Sequence, residues 1–246
     1  MSFILDLHNH TIASGHAYST VQEIAQQSKE KGLKMIGITD HGPLMPGVLS
    51  SSFTGNLIIL PEYIYGVEVL RGVEANILDQ DGKLDVPERR LRRLDIVLAG
   101  LHDVVVEPWD IKGNTRAILN AMENDLVDII SHPGNPIFPI DKEAIVLQAK
   151  KTNTLLEVND GSFRGQSRLG SYENCYEILR FCIKHEVPII VGSDSHISFD
   201  VGHFDNAIKL LKDINMPEEL IMNFSTEKVR DYLFKKGKSR FSKNNS

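Results

Sequence analysis

Seven of the nine histidines in this 246-residue chain stand in short acidic or glycine-flanked strings, each at the end of an apolar run. His8 and His10 follow Phe3-Ile4-Leu5-Asp6-Leu7, with His16 just beyond them, and His41 follows Ile36-Gly37-Ile38-Thr39. His102 follows Ile96-Val97-Leu98-Ala99-Gly100, His132 follows Ile129-Ile130, and His196 follows Ile189-Ile190-Val191-Gly192. Two carboxylates occupy the same kind of place, Glu74 near the end of the run from Val67 and Asp194 beside His196. Groups so far apart in sequence can act together only in a fold that gathers the ends of its apolar runs.

Those runs begin near Phe3, Met35, Val67, Ile96, Val127, Leu155 and Ile189, and most are separated by amphipathic stretches with helix punctuation. Thr20 and Glu23 form a capping-box pattern closed by Gly32, Asn114 and Asp141 are read as openings of two further helices, and Glu173–His185 and His203–Ile214 supply two more. Alternating strands and helices at about 30 residues per unit predict a parallel sheet, because each crossover carries a helix. In a closed barrel the C-terminal strand ends converge on one mouth, whereas an open sheet would spread them along a line. The expected fold is an α/β distorted (βα)7 TIM-like barrel with its metal site at those ends. It is read as a single domain over residues 1–236 with a polar tail at 237–246. The stretch from Leu44 to Ile64, with two prolines, is expected to be a loop with a short helix.

Nine candidate ligands exceed the needs of one ion. At three protein ligands per catalytic metal they suit three ions, with Glu74 as the natural bridging carboxylate. His8 and His10 alternate along an extended segment, so both side chains reach one face. His185 and His203 lack such a setting and are left outside the site. Histidine-rich ligation favours Zn2+, with Mn2+ or Fe2+ as alternatives. Cys175 and Cys182 lie seven apart in one predicted helix, about 10.5 Å along its axis, and are read as buried apolar groups. Arg164 and Arg168 are the candidate side-chain clamps for an anionic substrate, and Trp109 is placed either over the mouth or at a subunit contact.

A formal charge of −6 argues against a broad nucleic-acid surface. The arginines 89, 90, 92 and 93 read as a solvated helix face, and Lys235, Lys236, Lys238 and Arg240 as a frayed end. No run approaches the roughly 18 uncharged apolar residues of a membrane span, and no leader precedes Phe3, so a cytoplasmic location is expected.

Asp6-Leu7-His8-Asn9-His10, Ile38-Thr39-Asp40-His41, Ser131-His132-Pro133-Gly134 and Gly192-Ser193-Asp194-Ser195-His196 together resemble the four motifs of the polymerase and histidinol phosphatase (PHP) family of metal-dependent phosphoesterases. The resemblance covers essentially the whole chain. Further strings, among them His16-Ala17-Tyr18-Ser19-Thr20 and Arg71-Gly72-Val73-Glu74-Ala75-Asn76, look most like the bacterial YcdX-type probable phosphatases. That resemblance implies a trinuclear zinc site: one ion with His8, His10, Glu74 and Asp194, a second with Glu74, His102 and His132, and a third with His16, His41 and His196. It also implies a homotrimer.

The expected activity is hydrolysis of phosphate monoesters by a metal-activated hydroxide, with Asp194, His132 and Glu74 as catalytic groups and a small phosphorylated molecule as substrate. Three divalent ions bring six positive charges, and Glu74 and Asp194 cancel two, which suits a dianionic ligand. The alternatives are a phosphodiesterase or exonuclease of the same family, an amidohydrolase, and a non-catalytic metal-binding protein.

Overall fold

The structure, a computed structural model, describes residues 1–48, 50 and 52–241. The serine triplet at 50–52 and the expected tail at 237–246 therefore lie partly outside the described residues. Seven parallel strands follow one another around the sheet: β1 (Leu5–Asp6), β2 (Met35–Ile38), β4 (Val67–Asn76), β5 (Ile96–Gly100), β6 (Ile129–Ile130), β7 (Leu155–Asn159) and β8 (Ile189–Gly192). A short β3 (Tyr63–Ile64) pairs antiparallel with β4 at the side. Helices α1 (Val21–Glu30), α2 (Ser52–Asn56), α3 (Glu88–Leu91), α4 (Ile111–Met122), α5 (Lys142–Thr152), α6 (Ser171–His185), α7 (Asp205–Asp213) and α8 (Thr226–Lys235) complete the order. The result is a nearly closed, distorted TIM-like barrel.

Period-two alternation divides the strands between two cores. On β4, Val67, Val69, Val73 and Ala75 pack outward under the helices. Leu70 joins Leu5, Met35, Ile96, Leu98, Ile129, Leu155 and Ile190 in the barrel interior. Glu74, two positions on from Gly72 and four from Leu70, is on the same inner face near the mouth.

The seam between β8 and β1 carries no strand ladder. An asparagine side chain takes its place: Asn223 Nδ2 donates to Leu5 O at 3.1 Å and Val191 O at 2.8 Å, while its Oδ1 accepts from Val191 N at 2.7 Å. Nearer the mouth, Asn9 and Ser195 form an isolated parallel bridge, and buried Asp6 accepts from the backbone N–H of Ser193 and Gly202.

Helix α8 plugs the other end, with Val229, Tyr232 and Leu233 packed into the inner core. The Tyr232 hydroxyl donates to Asp128 O and Asn153 O, both just ahead of strands β6 and β7. The expectation of a frayed basic end fails beyond it. Lys238 is buried against Asp128 at 2.6 Å, and Arg240 pairs with Asp95 at 2.9 Å and Glu68 at 3.1 Å. Desolvated carboxylates at the strand starts hold these cations in place.

Thr20 and Glu23 form the full capping box and Asp141 caps α5, as expected. Asn114 does not open its helix, because Asp110 caps α4. Asn114 is buried a turn inside, donating to Trp109 O and Pro139 O. Trp109 packs against the outer core at this helix start. The 44–64 stretch contains α2 and a 3-10 turn at Leu57–Ile59 before β3. Among the described residues no helix is long and apolar enough to cross a membrane.

Candidate metal centre

All nine candidate ligands converge at the C-terminal mouth of the barrel. His8 and His10 leave β1, His16 follows a 3-10 turn at Ile12–Ser14, and His41 sits in a parallel bridge with Glu74 of β4. His102, His132 and the Asp194/His196 pair follow β5, β6 and β8. Two of these residues are held in left-handed backbone geometry, His132 at φ 34° and Asp194 at φ 54°. Non-glycine residues adopt that region only where surrounding structure imposes it.

Glu74 is the hub. Its Oε1 lies 2.7 Å from His132 Nε2 and 3.2 Å from His102 Nε2. Its Oε2 lies 2.8 Å from His41 Nδ1, 3.4 Å from His8 Nε2 and 3.6 Å from His10 Nε2. Asp194 Oδ1 approaches His10 Nε2 at 3.1 Å and His8 Nε2 at 3.5 Å. At the outer edge His16 Nε2 faces His196 Nε2 at 3.0 Å, and the His16 ring stacks on that of His41. Three clusters with metal-ligand spacing result, His8 with His10 and Asp194, His41 with Glu74 and His102, and His10 with His41 and His196, so His10 and His41 each stand between two sets.

Surrounding hydrogen bonds decide which ring nitrogens face inward. His8 Nδ1 contacts Glu157 Oε1 at 2.6 Å, His10 Nδ1 contacts Ser14 Oγ at 3.0 Å, and His196 Nδ1 contacts Asp194 O at 3.0 Å. The Ser14 hydroxyl donates to Asp40 at 2.7 Å and so accepts from His10. Protons fixed on these Nδ1 atoms leave the Nε2 lone pairs turned inward, with His8 and His10 Nε2 only 3.0 Å apart. Lone pairs and carboxylate oxygens facing one another are repulsive unless a proton or a metal ion lies among them. His41 Nδ1 and Glu74 Oε2, though 2.8 Å apart, make no aligned hydrogen bond, and neither does buried His102 Nδ1. This nitrogen and oxygen donor set fits divalent ions of the zinc type.

The titration behaviour has the same cause. Burial disfavours charge on Glu74, but His8, His102 and His41 together hold its carboxyl well below the usual range. Burial likewise opposes charge on Asp194, and His8 with the His10 hydrogen bond outweighs it. Burial, reinforced by the Arg168 guanidinium, pulls His132 down to about 4, and burial with His41 and His196 lowers His10 well below its ordinary value. His8 goes the other way: burial opposes its protonation, yet Glu157, Glu74 and Asp194 raise it well above normal.

Arg168 lines the mouth with Asp194 and His196, its guanidinium 3.1 Å from Asp194 Oδ2 and 3.0 Å from Ser162 Oγ. Arg164 also borders the cleft but is committed to Asp200 at 3.0 Å and Ser193 O at 2.9 Å. His203 stands behind it near Asp200, and His185 pairs with Glu143 away from the mouth. Sequence reasoning missed Glu157, Ser14 and Asp40. A glutamate inside the apolar run Leu155–Asn159 was the available signal for the first.

A model of the PHP domain matches residues 6–235. The chain belongs to the PHP-domain family. Relatives in the family include a "probable phosphatase" of Acetivibrio thermocellus, 52% identical over 236 residues and covering 96% of this chain and 97% of its own. Another "probable phosphatase", from Clostridium acetobutylicum, is 50% identical and covers 97% of both chains. Among solved structures, histidinol phosphate phosphatase from Lactococcus lactis, complexed with zinc, L-histidinol and phosphate, superposes with a TM-score of 0.59 at 15% identity. It covers 87% of this chain and 94% of its own. At that identity the likeness concerns the fold alone.

Proposed function

We propose that this PHP-domain chain is a metal-dependent phosphatase that hydrolyses phosphate monoesters at a trinuclear zinc centre. The observation that carries the reading is the convergence of nine nitrogen and oxygen groups on one mouth, five of their histidines around Glu74, with the Arg168 guanidinium beside Asp194. The names of relatives at about half identity support phosphatase activity, and the lactococcal enzyme's zinc and phosphate support both ion and substrate class.

His8, His10, Glu74 and Asp194 would hold one ion, Glu74, His102 and His132 a second, and His16, His41 and His196 a third. When bound, such ions polarise phosphoryl oxygens and lower the pKa of water to about 7. The protein's own groups supply alignment. Glu74 presents one oxygen to each of two ligand sets. Asp194 turns Oδ1 to His8 and His10 while Oδ2 accepts from Arg168, so ligand position and phosphate clamp are tied through one carboxylate. Arg168 can hold a phosphoryl oxygen by a charge-assisted hydrogen bond. The homotrimer implied by the family resemblance belongs to the same reading, and a solution mass measurement tests it.

The deciding experiment loads the protein with zinc, counts bound ions, and compares phosphate monoesters, diesters, single-stranded DNA and cyclic amides. Monoesters are expected to be turned over fastest, and His132→Ala to lose bound metal and at least 100-fold in kcat. Preference for diesters or DNA, or full metal content and turnover in His132→Ala, overturns the reading.

A further inference from the structure

Glu157 is a buried carboxylate at the third position of β7, and it has no lysine or arginine partner among the described residues. What it contacts is the metal centre, at two separate points. One oxygen lies 2.6 Å from His8 Nδ1. The other accepts from the backbone N–H of His132 at 2.8 Å and from Asn159 Nδ2 at 3.0 Å. His8 belongs to one ligand set and His132 to another, and His132 is a residue whose backbone is left-handed.

The space for this arrangement comes from the neighbouring strand. A Cβ on Gly192 would collide with Glu157 Oε1 and crowd the His8 Cβ. A side chain larger than hydrogen there would force the carboxylate off the imidazole.

We propose that Glu157 is a positioning residue that sets two ligand groups of the centre at once. One oxygen keeps the His8 proton on Nδ1 so that Nε2 faces Glu74 and Asp194, and the other pins the left-handed backbone that aims His132. The inference rests on the metal-centre reading given above. Hydrogen-bond partners of ligating histidines alter metal affinity by about 10- to 100-fold when removed.

Glu157→Gln separates this role from simple packing. The amide oxygen can still accept from His132 N and Asn159, but the amide nitrogen then faces His8 Nδ1 as a donor. The His8 proton is driven to Nε2, into the site. The variant keeps volume and hydrogen-bond count while reversing one tautomer.

The test measures bound zinc per chain, zinc affinity by chelator competition, and the His8 tautomer by nitrogen NMR of histidine-labelled protein, alongside far-UV circular dichroism. Wild type is expected to bind three ions with His8 protonated on Nδ1. Glu157→Gln should keep the fold, lose one ion or 10-fold or more in its affinity, and show an altered His8 tautomer. Gly192→Ala should weaken zinc in the same direction. If wild type binds three ions and Glu157→Gln matches it in zinc affinity and tautomer, the positioning role is overturned while the centre stands. If wild type binds none, the metal-centre reading falls, and this inference with it.

Discussion

The left-handed backbones of His132 and Asp194 show the centre making demands on single residues. Each such conformation costs on the order of 1–3 kcal/mol, and both occur where the chain turns sharply out of a strand to aim a side chain at Glu74 or at His8 and His10. The candidate ligands other than His16 were legible because they sit at or near the ends of apolar runs, a pattern visible in one dimension. Glu157 and Asp40 were not, because their partners His8 and Ser14 come from distant parts of the chain and only the closed sheet brings them together. The two arginines read alike in sequence but differ in space. Arg168→Ala is expected to raise KM for a phosphomonoester about 10- to 100-fold with metal content unchanged. Arg164→Ala, which breaks contacts to Asp200 and Ser193 O, should leave KM within about 3-fold and lower Tm, as steady-state kinetics and thermal melts will read.

At the scale of elements, the parallel strands were legible from apolar runs and the intervening helices from capping residues. Helix α8 was not. Its apolar residues Val229, Tyr232 and Leu233 are helically spaced, but lysines and arginines crowd the stretch and make it read as solvated. Burial of Lys238 and Arg240 is a tertiary effect, since the carboxylates that neutralise them begin distant strands. Removing one partner of a buried pair leaves the other charge uncompensated. Lys238→Ala is therefore expected to destabilise the fold by about 3 kcal/mol in denaturant titration, with Lys238→Met/Asp128→Asn recovering part of the loss. No recovery in the double variant would assign the effect to packing.

For the molecule as a whole, removing metal should expose opposed titrations. His8 has a raised folded-state pKa, so the stability it contributes is complete below its unfolded value near 6.5 and is lost as pH rises through the folded value. His132 has a lowered pKa of about 4, so the unfolded chain binds its proton first, and stability falls as pH drops from about 6.5 towards 4. That limb alone is worth about 3 kcal/mol. Chelator-treated protein is thus expected to melt highest near pH 6.5 and lower on both sides. Zinc-loaded protein should melt higher at neutral pH, by about 2.7 kcal/mol of added stability per ion at 100 times its dissociation constant. A monotonic pH profile in the stripped protein would contradict the charge arrangement.

The asparagine that closes the seam also has a temporal meaning. Asn223 joins Leu5 to Val191 from a position beyond every candidate ligand, and Asp6 meets Ser193 across 187 positions of chain. During synthesis, His8 and His10 emerge first and wait for Asp194, His196 and finally the residue that locks the first strand to the last. Contacts so distant in sequence form slowly, because the intervening chain must be organised before they bring any gain. A nascent chain halted just short of Asn223 would carry every candidate ligand on a barrel still open at the side.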